Sequence, residues 1–127
     1  MARTQQGSFF LRFFWWLPFG TAPEITPQEL AKRLKRGGQR PQILDVRTDH
    51  EWRQGHIAGA VHVPLSDLRG RIGDLSLDPD RPLVAVCLSG HRSVPAVRLL
   101  MLHGYGGAVQ LAGGMLAWRR SKLPEVR

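Results

Sequence analysis

A single cysteine, Cys87, stands between an apolar run and a short polar loop. Residues 83–102 read LVAVCLSGHRSVPAVRLLML. Leu83 to Val86 has the apolar, partly β-branched character of a buried strand. The loop is Leu88-Ser89-Gly90-His91-Arg92, and Ser93 follows it. Val94, Val97, Leu100 and Met101 then recur at helical spacing. Cys87 is thus placed at the carboxyl end of a strand, and the loop leads into a helix N-terminus. Pro95 suits the first helical turn, where its missing N–H costs nothing. Ligands of open α/β sheets bind off the carboxyl ends of strands.

A cysteine is a nucleophile as its thiolate, and a free thiol has a pKa of about 8.5. Three features of this stretch favour the anion. The helix N-terminus turns its positive end towards the loop. Gly90 allows several backbone N–H groups to face inward as an anion nest. Arg92, and His91 when protonated, add positive charge. The same site suits an oxyanion such as thiosulfate, phosphate or arsenate. The plainer alternative is a cysteine that merely fills a core; the following SGHRS weighs against it. Cysteine-dependent phosphatases space nucleophile and arginine as C-x5-R, whereas Cys87 and Arg92 stand as C-x4-R. The smaller loop favours a single sulfur atom on the cysteine over a whole phosphate.

The elements that must position this loop follow from the rest of the chain. Thr26, Pro27 and Glu29 open a first helix with a T-x-x-E capping signature. Leu30 and Leu34 form its apolar stripe, and Gly37-Gly38 end it. Residues 42–47, Gln-Ile-Leu-Asp-Val-Arg, read as a short strand ending in polar residues. A short helix around 48–53 follows, then a brief strand at 61–63. Ser66 is the expected cap of a helix carrying Leu68, Ile72 and Leu75. Residues 78–82 form a turn. His103 to Gly107 stop the central helix, 108–111 form a last strand, Gly113-Gly114 a turn and 115–122 a final helix. Strands alternating with helices predict an α/β fold with a parallel sheet and helices on both faces.

With 127 residues the chain suits one core-forming domain. One cysteine excludes an internal disulfide and a cysteine-cluster metal site, and leaves Cys87 without a resolving thiol. The net charge of +8 is concentrated in residues 81–127, which hold seven Lys/Arg against one acid, Glu125. That balance suits anionic partners, but no nucleic-acid module is present and a solvated basic surface accounts for it. Residues 1–20 form a separate N-terminal extension, with 21–127 the domain. Seven of the ten aromatics fall within residues 9–19. The run SFFLRFFWWLPFG is too short to span a bilayer, and Arg12 makes it a poor signal-peptide core. Three readings stay open for residues 8–19: an interfacial membrane anchor, a docking segment for a protein, or an arm packed on its own domain or cleaved. A functional free thiol fits a reducing compartment, so the expected location is cytoplasmic, with peripheral membrane contact through the arm as an option.

Residues 24–123 resemble the single-domain rhodaneses, the sulfurtransferase family. ITPQEL, ILDVRTDHEWRQGHIAGAVHVPLSDL, VAVCLSGHRS and LLMLHGYGGAVQLAGGMLAW carry the resemblance in this order. It implies a five-stranded, mostly parallel sheet flanked by helices on both faces. It also implies a catalytic Cys87 that takes sulfane sulfur from thiosulfate or a similar donor and holds it as a persulfide. N–H groups from Leu88, Ser89, Gly90, His91, Arg92 and Ser93 would cradle that sulfur. An external thiol, or cyanide, would accept it. No metal and no organic cofactor are implied. Asp45 and Arg47 are expected to support the loop, with Glu51 as their partner, and His56 to satisfy a backbone carbonyl. His50, His56 and His62 recur every six residues, which fits no single face and speaks against a metal site. Two alternatives stand beside the enzyme. One is a rhodanese-fold binding module engaging a partner or membrane through its loop or N-terminal arm. The other is a phosphatase or arsenate reductase, disfavoured by the short loop and the lone cysteine.

Overall fold

The computed structural model describes residues 22–38 and 40–127. The extension at 1–20, with its aromatic run at 8–19, lies outside the described residues. Five parallel strands form one sheet: β1 (Glu24–Ile25), β2 (Gln42–Asp45), β3 (Val61–His62), β4 (Leu83–Val86) and β5 (Ala108–Leu111). Their order is β1-β5-β4-β2-β3, which puts β4 at the centre. Val86 is level with Asp45 of β2, and Ala85 with Gln110 of β5. Five α-helices connect them: α1 (Pro27–Lys35), α2 (Asp49–Gln54), α3 (Leu65–Arg71), α4 (Ser93–Leu102) and α5 (Gly114–Arg120).

All four residues of β4 are buried, because a parallel sheet is covered on both faces and a central strand must be apolar throughout. Period-two alternation sends its side chains into two cores. Leu83, Ala85 and Cys87 join Leu44, Val46, Leu68, Val97 and Leu100 on the α3–α4 side. Val84 and Val86 join Leu30, Ile43, Leu111, Met115 and Trp118 on the α1–α5 side. Cys87 is therefore held from two directions before any polar contact is made.

The helix starts show how local sequence sets these positions. Thr26 Oγ1 accepts the Glu29 N–H at 3.2 Å, with Pro27 at the first position of α1. Glu29 does not reach back to complete the box; its carboxylate accepts from Arg33 Nε at 3.1 Å, one turn on. The complete reciprocal box lies at α2, where Thr48 Oγ1 accepts from Glu51 N and Glu51 Oε1 accepts from Thr48 N. Ser66 is not a cap. Pro64 occupies that position, and Ser66 falls inside the first turn of α3. That helix ends at Arg71 and tightens into a 3-10 turn over Ile72–Asp74. The two-residue edge strand β1, which pairs with Gln110 and Leu111 of β5, is not among the strands expected from the sequence.

Candidate active site

The site is built where β4 gives way to its loop, beside β5. From β4 comes the cysteine itself, fully buried. The loop then curls back so that Gly90 N–H donates to Cys87 Sγ at 2.9 Å. Gly90 has φ of 103°, a conformation that favours glycine. A donor aimed at sulfur stabilises the anion over the thiol.

The loop carbonyls are fixed from α5. Met115 N donates to Cys87 O at 2.8 Å, and Leu116 N to Leu88 O at 2.9 Å. These are free N–H groups of the first turn of α5. In a trans peptide the C=O and the following N–H point in opposite directions, and the described chain has no cis peptide. Drawing the two carbonyls to α5 therefore turns the Leu88 and Ser89 N–H groups away from it. Gly114 makes this approach geometrically feasible. Its φ is 60°, and a Cβ there would strike Cys87 O and come within 2.6 Å of Leu88 C and O. In the sequence this glycine was read only as part of a turn.

Ser93, fully buried at the first position of α4, closes the loop. The Cys87 thiol faces Ser93 Oγ at 3.5 Å. Ser93 Oγ in turn lies 2.6 Å from Gln110 Oε1 and 3.3 Å from Gly90 O. Gln110 is a buried polar side chain in β5, and its Nε2 donates to Glu24 of β1 at 3.1 Å. The sequence places Gln110 only within the strand at 108–111 and not among the site residues. A glutamine interrupting the apolar strand AVQL was the available signal.

The neighbouring strand β2 ends in a separate polar cluster. Arg47, fully buried, forks onto Asp45: Nε lies 3.0 Å from Oδ1 and Nη2 2.8 Å from Oδ2. Arg47 Nη2 also donates to Gly55 O at 2.8 Å. Glu51 is not part of this pair. Its carboxylate receives Arg92 in a bidentate ion pair at 2.7 and 2.8 Å. Arg92 hydrogen bonding, helped by the Thr48 donors, holds Glu51 down at about 2 from an ordinary 4.5, against an opposing push from burial. Glu51 likewise raises Arg92, and the charges of Cys87 and Asp45 act in the same direction. The cationic pair expected at the loop is thus divided: Arg92 is committed to Glu51, and His91 is left exposed. Ser89 is exposed and Leu88 half-buried.

His56 Nδ1 lies 2.8 Å from Trp52 O, and His62 Nε2 lies 2.8 Å from Arg47 O. Carbonyls only accept, so both nitrogens carry hydrogen in these contacts. Both imidazoles stack on the Trp52 indole, with centroid separations of 3.4 and 4.7 Å and near-parallel planes. The six-residue spacing had suggested no shared face; the turn between α2 and β3 brings the rings together. Among the described residues no three His, Cys, Asp or Glu side chains cluster as metal ligands. A surface hollow of about 890 Å³ lies elsewhere, bordered by Arg53, Arg119, Glu125 and Arg127 among others, and includes no residue of the Cys87 loop.

Comparison with known proteins sets this geometry in context. The family model of the Rhodanese-like domain matches residues 26–121. A protein named Sulfurtransferase from Allochromatium vinosum is 37% identical over 103 residues, covering 81% of this chain and 94% of that protein. A probable adenylyltransferase/sulfurtransferase, MoeZ, from Mycobacterium tuberculosis is 36% identical over 102 residues, or 80% of this chain. The match spans only 26% of that longer relative. The crystal structure of a rhodanese-related protein from Thermoplasma volcanium superposes with a TM-score of 0.72 at 30% identity, covering 82% of this chain and 97% of that one.

Proposed function

The chain belongs to the rhodanese family, and from that premise we propose that it is a sulfurtransferase carrying sulfane sulfur as a persulfide on Cys87. The observation that carries this reading is the Gly90 N–H on Cys87 Sγ at 2.9 Å, inside a loop whose carbonyls are tied to α5. Such a loop offers donors to a sulfur anion, while its short span leaves little room for a tetrahedral phosphate.

The donor proposed is thiosulfate or a similar small anion. The Cys87 thiolate attacks the outer sulfur, a new S–S bond forms, and the bond to the sulfonate sulfur breaks with its electron pair leaving on sulfite. The terminal persulfide sulfur carries the negative charge, which the loop N–H groups stabilise as an oxyanion hole would. An external thiolate, or cyanide, then attacks that terminal sulfur. The S–S bond breaks, the electron pair returns to Cys87, and a persulfide or thiocyanate departs. This is covalent catalysis in two half-reactions. Cys87 is the only cysteine of these 127 residues, so no second thiol among them can take the sulfur.

The Arg92–Glu51 pair bears on donor choice. With Arg92 engaged, attraction of an anion falls to the loop N–H groups, the N-terminus of α4 and the exposed His91. A docking role for residues 8–19, at a membrane surface or on a protein, is proposed as an addition to sulfur transfer, not a replacement for it. No helix among the described residues is long and apolar enough to cross a membrane.

Intact mass after incubation with thiosulfate tests the reading. The expected result is a gain of one sulfur, about 32 Da, that is lost on adding cyanide and absent in Cys87→Ser. No gain with thiosulfate, with Cys87 freely alkylated, would overturn thiosulfate as donor. Unchanged sulfur uptake in Cys87→Ser would overturn the mechanism.

A further inference from the structure

Ser93 Oγ has one proton and three acceptors within reach, of which Gly90 O at 3.3 Å is a backbone carbonyl that competes with the other two. It can donate to Gln110 Oε1 at 2.6 Å, or turn towards the Cys87 sulfur at 3.5 Å. The shortest contact takes the proton, and Ser93 then presents lone pairs to Cys87. In that arrangement the thiol donates to Ser93, so the hydroxyl supports the neutral sulfur and offers nothing to the anion. Gln110 is held in this orientation from its other end. Its Nε2 donates to the Glu24 carboxylate at 3.1 Å, which directs Oε1 at Ser93. β4 pairs with β5 in a register that sets Gln110 beside Ala85, two residues before Cys87. Strand alternation places its side chain on the α4 face, with Ala108 and Ser93.

We propose that Gln110 is a positioning residue that competes with Cys87 for the Ser93 proton, and so sets how readily the sulfur ionises. The sulfur is poised between two donors: the Gly90 N–H always faces it, whereas the Ser93 O–H is withheld while Gln110 accepts it. Ionisation of Cys87 then requires Ser93 either to stay with Gln110, leaving the anion one donor short, or to rotate and leave Gln110 Oε1 buried without its partner. Either course has a cost, because buried polar groups need their hydrogen bonds.

The inference rests on the sulfurtransferase reading only for its consequence in turnover. Its test needs no sulfur donor, so the two can fail separately. The readout is the pH profile of Cys87 alkylation by iodoacetamide, followed by intact mass. Gln110→Met keeps the length and volume of the side chain but removes the strong acceptor. The Ser93 proton is then shared between Gly90 O and the Cys87 sulfur; the charged thiolate is the stronger acceptor, so the midpoint of the profile should fall by about one pH unit, the scale of one hydrogen bond to a charged group. Below the midpoint the rate should rise about three- to fourfold, because the tenfold gain in thiolate is partly offset by its weaker nucleophilicity. Gln110→Glu offers a charged acceptor and should move the midpoint upward. In a Ser93→Ala background, Gln110→Met should have no effect on the midpoint. An unchanged midpoint in Gln110→Met would overturn the proposal, as would an equal shift when Ser93 is absent. A general loosening of the fold would speed alkylation in both backgrounds, so the Ser93→Ala comparison separates it from the proposed role.

Discussion

Two adjacent strands of the sheet end at the same height and solve opposite problems. β2 ends in Asp45 and leads to Arg47, Thr48 and Glu51, whose side chains engage one another and Arg92: the buried Asp45–Arg47 fork, the Thr48–Glu51 capping box and the Glu51–Arg92 pair, while Arg47 Nη1 stays buried without a hydrogen-bond partner. β4 ends in Cys87, and its loop is arranged mainly by backbone. Gly90 N–H meets the sulfur, while α5 takes the carbonyls of Cys87 and Leu88. A polar cluster closed on itself is rigid and chemically quiet. A loop whose carbonyls are tied down elsewhere keeps donors available for an incoming anion. Arg92 is the stitch between the two, starting in the Cys87 loop and ending on Glu51.

If β2 is the support, breaking its pair should have the largest effect on stability. Asp45→Leu leaves the Arg47 guanidinium fully buried without its counter-charge, at a cost of about 3–5 kcal/mol. Replacing both residues by leucine should recover most of that loss, because the desolvation penalty of both ions disappears together. Urea unfolding of the two variants measures it. A loss below about 1 kcal/mol for Asp45→Leu would show that the fork is not what holds this strand end.

The loop on β4 should fail differently. Gly114→Ala places a Cβ against Cys87 O and Leu88 in a left-handed backbone conformation. The conformation costs about 1–2 kcal/mol and the crowding about 1–3 kcal/mol, so a loss of roughly 2–5 kcal/mol is expected, less what local relaxation recovers. Relief requires α5 to retreat from the carbonyls it holds, which frees the loop. Sulfur uptake should therefore fall at least about tenfold at temperatures where the variant is folded, since a small misplacement of the reacting group is costly in rate. Mass measurement and circular dichroism together check this. Folded Gly114→Ala with unchanged uptake would mean that α5 does not shape the loop.

The same contrast explains what could be read from the sequence. β4, its loop and α4 were legible because a buried parallel strand is a continuous apolar run, and the helix after it changes period at Val94. The strands at β2 and β5 were visible for the same reason, and β3, an edge strand of two residues, through Val61 and Val63 on either side of His62. β1, the other edge strand, was not, since Glu24–Ile25 offers one apolar residue beside a charged one and is followed at once by the Thr26 helix start. The rhodanese family and its α/β sheet were readable from ordered motifs. The partners within the site were less so. Thr48 and Glu51 form a local T-x-x-E that could have been read as a cap. Arg92 and Glu51 stand 41 positions apart, and nothing local assigns Glu51 to Arg92 over Arg47. Gln110 and Gly114 matter because of what β4 brings beside them, which is a tertiary fact.

The smallest expected effect tests the stitch itself. Glu51 is held near 2 in the folded chain, against an ordinary 4.5. As pH falls, the unfolded chain protonates this carboxylate first. The stabilisation is therefore fully present above about pH 4.5 and is lost progressively as pH falls towards 2. Its size is about 1 kcal/mol, well below what the full shift would imply, because a third of the Arg92 side chain is exposed and water screens the pair. Glu51→Gln should flatten the acid limb of the stability curve by that amount and leave stability at pH 7 lower by a similar amount. It should also release the Arg92 guanidinium beside the Cys87 loop. Alkylation by anionic iodoacetate should then gain on neutral iodoacetamide by about two- to threefold at low ionic strength, and lose that advantage in high salt. A changed acid limb with an unchanged reagent ratio would confine the pair to support. A changed ratio would show that the quiet strand end also governs how much positive charge the reactive one displays.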